Sequence, residues 1–246
     1  MDSRAKGTLL IVCLSSILSM RAVAGPPFLT DDPEPVEYQH WEVYLFGQGN
    51  HASDSYSIDG PAVELNYGVL PDTQLHLIVP LTTVGDGVPT RSGLGDTELG
   101  IKYRFVHETS EMPQIGIFPM AELPTGDADR GLGNGRTWFR LPLWVQKSWD
   151  PWTTYGGAGV ALNSAPGQRN YPFGGWLLQR DLGKHLTLGG EIFAQGQDTD
   201  HDNGFAALNF GGSYKFTDHF NLLFSAGHSI AGDQHTLWYF ALYWTW

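Results

Sequence analysis

Polar and apolar side chains alternate along most of this chain with a period of two residues, the spacing that sends successive side chains to opposite faces of a strand. The last nine residues show it most sharply. Trp238, Phe240, Leu242, Trp244 and Trp246 fall on one face, and Tyr239, Ala241, Tyr243 and Thr245 on the other. An aromatic stripe of this kind suits lipid and its interface, whereas in water it would be an aggregation-prone edge. The stripe therefore reads as membrane-facing, and as the segment by which barrel-assembly machinery would take up the chain.

Upstream, the alternation predicts about twelve strands, over 36–48, 58–68, 73–84, 95–107, 113–123, 136–148, 152–163, 171–181, 185–196, 204–216, 219–229 and 235–246. An even count is what bacterial barrels show. The links alternate too. Short turns at 69–72, 109–113, 149–151, 181–184 and 217–218 are interleaved with mostly longer polar or glycine-rich links at 49–57, 85–94, 124–135, 164–170, 197–203 and 230–234. Short periplasmic turns and longer outer loops are the expected asymmetry, and they leave both termini in the periplasm. Beyond residue 24 no apolar run approaches the ~20 residues of a spanning helix, so only a closed barrel can cross a bilayer. The predicted fold is all-β: a transmembrane antiparallel up-and-down β-barrel. A soluble sandwich or lipocalin-like barrel is the competing architecture. Aromatic residues near the strand ends, among them Trp41, Tyr67, Tyr103, Phe105, Tyr214 and Phe216, favour interface girdles over core filling.

Residues 1–24 have a basic start (Arg4, Lys6), an apolar run from Gly7 to Met20, and small residues at Ala22 and Ala24. This reads as a cleavable signal peptide ending at Ala24. The only cysteine, Cys13, lies within it, so the mature chain is expected to lack thiols, disulfides and thiolate metal sites. Residues 25–35, with prolines at 26, 27, 33 and 35, cannot form a central strand. They read as a solvated periplasmic leader; the alternative is a small plug whose Asp31 and Asp32 meet lumen Arg and Lys. The barrel then occupies 36–246. With the signal removed, 11 basic residues face 25 acidic ones, a net charge of −14. That balance argues against nucleic acid as a partner.

Period two also assigns the inner face. Asp96, Glu98, Gly100, Lys102 and Arg104 share one face of a strand, opposite Thr97, Leu99, Ile101, Tyr103 and Phe105; Lys215 falls on the inner face of another. The same rule turns Glu42, Glu64, Asn66, His76, Glu122, Arg140, Gln146, Gln179 and Glu191 inward. A charge at the lipid-facing midplane costs about 2–4 kcal/mol for Arg or Lys, so these groups are expected in a polar lumen. Phe46, Phe118, Trp138, Trp144 and Phe193 are also placed inside. The charges read either as a pairing network that holds the barrel or as a selectivity filter. The aromatics read either as a stacking route for aromatic solutes or as filler of a narrow barrel.

Several stretches resemble a family of Gram-negative outer-membrane proteins described under the "MetA pathway of phenol degradation". They are Pro26 to Pro35, Glu64 to Pro71, Gly95 to Phe105, and Glu122 to Asp127 followed by Gly131-Leu-Gly133. The resemblance runs through the mature chain and rests on strand and turn patterns. It implies an outer-membrane barrel and uptake of aromatic compounds, and it carries no binding residues over.

The expected function is a bacterial outer-membrane channel for passive diffusion of small solutes, with membrane lipid and solute as partners and with no cofactor or metal. A closed structural or lipid- or protein-binding barrel is the alternative, followed by a lipid-modifying enzyme. For the enzyme, Ser225, His76, His228 and Asn209 are available, but no spacing implies a triad. The glycine-rich link 124–135 fits neither a phosphate loop nor an EF-hand; it reads as a mobile outer loop or as a pore-constricting lid.

Overall fold

The computed structural model describes residues 26–87 and 89–246, so the signal expected over 1–24 lies outside the described residues. Twelve strands follow one another: β1 (Trp41–Ala52), β2 (Tyr56–Leu70), β3 (Thr73–Gly85), β4 (Arg91–Leu94 continued by Thr97–Val106), β5 (Gln114–Ile117 continued by Met120–Leu123), β6 (Trp138–Trp149), β7 (Trp152–Leu162), β8 (Tyr171–Asp181), β9 (Leu186–Gln195), β10 (Phe205–Thr217), β11 (Phe220–Gly232) and β12 (His235–Thr245). Each pairs antiparallel with its chain neighbours. The sheet closes where β1 meets β12, from Glu42 opposite Thr245 to Ala52 opposite His235. The result is the up-and-down barrel that the alternation predicts, with one short 3₁₀ turn at Ala128–Arg130.

Two strands are interrupted. In β4 the register against β3 shifts by one residue between Leu94 and Glu98, a bulge that spends the extra residue at Gly95-Asp96. In β5 the ladder parts at Phe118-Pro119, because proline has no N–H to donate. Ile101 N still reaches Pro119 O at 3.1 Å, and Phe118 N reaches Pro142 O at 3.3 Å.

The predicted faces are the observed ones. Leu45, Leu75, Leu99, Ile101, Leu141 and Leu143 are exposed on the outside, while Glu64, Asn66, His76, Glu98, Gln146, Gln179 and Glu191 are buried inside. Trp238, Phe240 and Trp246 are exposed, and Leu242 and Trp244 share their outward face. Aromatic rings gather at the short-turn end: Trp41 lies 4.5 Å from Tyr67, and Phe220 stacks 5.0 Å from Trp244 and 5.2 Å from Phe216. This is an interface girdle. The terminal residue joins the seam, since Trp41 N donates to Trp246 O and Trp246 N to Trp41 O.

Three expected loops contain strand. Residues 49–52, 56–57, 91–94 and 230–232 pair above the apolar band, where no lipid enforces alternation and the periodic signal fades. The first strand also begins at Trp41, not at residue 36, because Val36 belongs to the preceding segment.

Leu143 lies on the lipid face of β6. Leu143→Arg is expected to lower folding stability in vesicles by about 2–4 kcal/mol, read by urea titration of the heat-modifiable folded band. An undiminished midpoint would contradict lipid contact there.

Candidate functional site

Strand β4 runs the length of the lumen and orders its contents. Asp96 and Glu98 lie toward the long-loop end, Lys102 and Arg104 toward the short-turn end. At ~3.4 Å per residue this stretch is comparable to the apolar band of a barrel.

The lower lumen is filled by the segment preceding β1. Pro27, Thr30, Asp32, Pro33, Pro35 and Val36 are buried. Lys102 Nζ donates to Asp31 Oδ1 at 3.0 Å and Asp32 Oδ2 at 3.5 Å. Glu191 accepts from the backbone N–H of Thr30 at Oε1 and, at 3.3 Å, of Leu29 at Oε2, to which Asn209 Nδ2 also donates at 2.5 Å. Glu34 takes Gln114 Nε2 at 3.2 Å and lies 3.8 Å from Arg104, and Val36 N donates to Gln74 Oε1 at 2.9 Å. A Cβ on Gly175 would sit 2.0 Å from Thr30 Oγ1, so glycine there makes room for the segment. The solvated leader expected for 25–35 is corrected by these contacts: its described residues form a plug. Sequence spacing gave no reason to choose the plug, because its partners lie 38 to 198 residues away along the chain.

Around the plug the inward aromatics gather in two clusters. Phe118, Met120, Trp144, Phe173, Phe193 and Phe205 form one cluster; Tyr44, Phe46, Leu223 and Tyr243 form another across the lumen. Of the five predicted lumen aromatics, four are buried and Trp138 is half-buried at the edge of the first cluster.

At the long-loop end the lumen opens into a cavity of about 570 Å³. Phe46, Ile78, Trp138 and Tyr171 give it apolar walls, and Asp59, Asp96, Glu98, Glu122, Asp198 and Arg140 its charges. Arg140 Nη2 is paired to Glu98 and lies 3.8 Å from Glu122. His76 bridges Glu98, 2.8 Å away, and Asn66, 2.7 Å away, and Asn66 Nδ2 donates to Glu64 at 2.8 Å.

The predicted charges thus separate into groups. Buried Glu64 and Glu98 form the upper cluster with half-buried Glu122 and Arg140. Lys102, Arg104 and Glu191 hold the plug. Glu42 accepts from Tyr44 and Tyr243 at 2.9 and 2.7 Å. Lys215 pairs at 2.9 Å with Asp218 in the turn after β10, so it sits at the rim. One lumen-wide network of these residues does not form; the plug supplies carboxylates that the wall lacks.

The side chains considered for catalysis are not assembled into a triad among the described residues. Ser225 donates to Pro27 O, His228 contacts Thr236 and Gln234, and His76 and Asn209 have the partners above. No group of three or more His, Cys, Asp or Glu with metal-binding geometry occurs among the described residues.

On the lipid face, the gap at Phe118-Pro119 opens a cleft of about 670 Å³ lined by Leu75, Leu77, Leu99, Ile101 and Phe139. The cleft also touches His76, Gly100 and Met120, which belong to the inner face.

A closed antiparallel barrel with an apolar exterior, an aromatic girdle and a charged interior is an outer-membrane β-barrel. The chain belongs to the family described as "Putative MetA-pathway of phenol degradation", whose sequence profile matches residues 48–237. No curated protein matches it significantly. Among solved structures it is similar to the COG4313 outer membrane channel from Pseudomonas putida F1, with a TM-score of 0.68 and 14% identity over 87% of this chain and 97% of that one. It is also similar to the NanC porin (TM-score 0.57, 7% identity, 82% and 98% covered). The translocator domain of the autotransporter NalP from Neisseria meningitidis gives a TM-score of 0.57 at 12% identity, with 85% and 89% covered. At these identities the likeness is one of fold.

The outer loop 196–204 carries a titrating pair. Burial, then the hydrogen bond with Asp202, pushes Asp198 up to about 7. Although burial opposes it, hydrogen bonds from Asp198, Thr199 and Gly204 hold Asp202 below the usual carboxylate range. Because the folded value of Asp198 lies above its unfolded one, its contribution is present at acid pH and lost as pH rises through about 7. Amide protection of this loop, corrected for intrinsic exchange, is expected to fall between about pH 5 and about pH 8, and Asp198→Asn to flatten that change. A pH-independent wild-type loop would contradict the shared proton.

Proposed function

We propose that this protein is an outer-membrane channel through which small solutes, aromatic compounds among them, diffuse down their gradient. The observation that carries the reading is the cavity at the long-loop end, closed below by aromatic side chains and the plug. Apolar walls from Phe46, Ile78, Trp138 and Tyr171 suit a ring. Five acidic side chains line the entrance; Glu98 is committed to Arg140 and Asp198 shares a proton with Asp202, and the remaining carboxylates make it attractive to cations. Two fold relatives, an outer membrane channel and a porin, support a channel, and the family's association with phenol degradation supports aromatic cargo. The chemistry asks for no cofactor and no catalytic group. Outer-membrane lipid covers the apolar exterior, and the C-terminal strand is the part the assembly machinery would engage.

With the plug seated, planar-bilayer conductance of the mature chain should be small and cation-selective. Deleting residues 25–35 should raise the single-channel step severalfold, as should Lys102→Met to a lesser degree. Equal steps in all three proteins would mean that the plug lies off the route. Silence from the folded truncated barrel would favour a closed structural barrel or an enzyme.

The cleft at the β5 break favours a second route for apolar cargo, sideways from the upper lumen into the membrane. Leu99 and Ala121 are register partners beside it. A disulfide from Leu99→Cys with Ala121→Cys is expected to slow toluene uptake by intact cells without changing ion conductance, and reduction to restore it. Uptake indifferent to the staple would remove the lateral route.

A further inference from the structure

The glycine-rich link between β5 and β6 is built to stand in the mouth of the lumen, and a single side chain, Asp96, holds both of its ends. The bulge in β4 turns both Gly95 and Asp96 away from the lipid face, and the Asp96 carboxylate takes hold of both ends of the link. Its Oδ1 accepts from Gly126 N at 2.9 Å and its Oδ2 from Asn134 N at 2.6 Å. Between these points the chain makes a compact turn. Arg130 N and Leu132 N donate to Asp127 O at 3.1 and 3.0 Å, Gly131 N donates to Ala128 O at 3.0 Å, and Gly131 takes φ 70°, a conformation that favours glycine.

The turn presents Leu132 inward. Leu132 is 3% exposed although the residues around it are half-buried or exposed. Its Cδ1 would lie 2.9 Å from a Cβ on Gly93, so the missing side chain of Gly93 is the slot that receives it. Arg130 Nη2 donates to Ser92 O at 3.2 Å, and Asn134 Nδ2 donates to Asn163 Oδ1 at 3.1 Å, tying the turn to both flanks of the mouth. Gly131, Leu132, Gly133 and Asn134 all line the 570 Å³ cavity.

We infer that the 124–135 turn is the size-selective constriction of the entrance, with Leu132 as the specificity-determining residue and Asp96 as the residue that positions it. The inference rests on the channel reading for its purpose, yet its geometry can be tested without conduction. A carboxylate that accepts two backbone N–H groups fixes the ends of the turn, and the leucine in its slot fixes the aperture. Loosening either widens the entrance.

The test uses the full chain in a Cys13→Ser background with Thr82→Cys, a buried position in the cavity wall. Labelling of the introduced thiol from outside intact cells is followed with a small methanethiosulfonate and with a bulky polymer-linked maleimide. Asp96→Ala should raise the bulky rate about tenfold, a factor in line with losing charge-assisted hydrogen bonds, and Leu132→Gly should raise it by emptying the Gly93 slot, both leaving the small rate unchanged. Leu132→Trp should lower the bulky rate. Heat-modifiable mobility checks folding, and Leu132→Gly keeps the test decisive if Asp96→Ala misfolds. Bulky rates that are equal across folded variants would overturn the constriction. Loop-dependent labelling in a barrel that conducts nothing would uphold it and remove the channel reading.

Discussion

Lipid offers no partner to a peptide N–H or C=O, and the whole arrangement follows from that constraint. The ladder must close, and it does so between β1 and β12, down to the reciprocal bonds between Trp41 and Trp246. Where it falters, substitutes appear at once: Gly95 N finds Pro80 O at the bulge, and Ile101 N finds Pro119 O at the β5 break. Both irregularities lie in adjacent strands, and both serve the interior. One turns Asp96 toward the mouth and the other borders an outer cleft that touches His76 and Met120.

Closure creates an enclosed space whose charges must be satisfied. Lys102 is buried with no close carboxylate partner among the described wall residues, and from the wall Glu191 is held by Asn209. The segment before β1 brings Asp31 and Asp32 to the first and backbone N–H groups to the second. Removing one member of such a buried pair is costly because the other is left uncompensated. The plug is therefore part of how the barrel wall is made stable, as well as an obstacle in its bore.

Much of this was legible in the sequence because a two-residue period has only two outcomes. Strand positions, faces and the girdle followed from that, as did the inward placement of Phe118, Trp144 and Glu98. What stayed hidden has no period. The segment 25–35 looks solvated because prolines bar it from the sheet, and nothing local says that Lys102, Gln114, Glu191 and Ser225 await it. The strand ends beyond the membrane were hidden too, since there water replaces lipid and polar residues may occupy both faces.

The placement of the plug beneath a walled cavity has a kinetic meaning. In an open tube each solute passes independently, and flux grows in proportion to concentration. Here the vestibule has room for few molecules, and the floor is chain packed through ion pairs such as Lys102 with Asp31. On the channel reading, passage becomes a cycle of occupancy and release, timed by how often the floor or wall yields. Flux through such a barrel would level off with concentration, as a carrier's does.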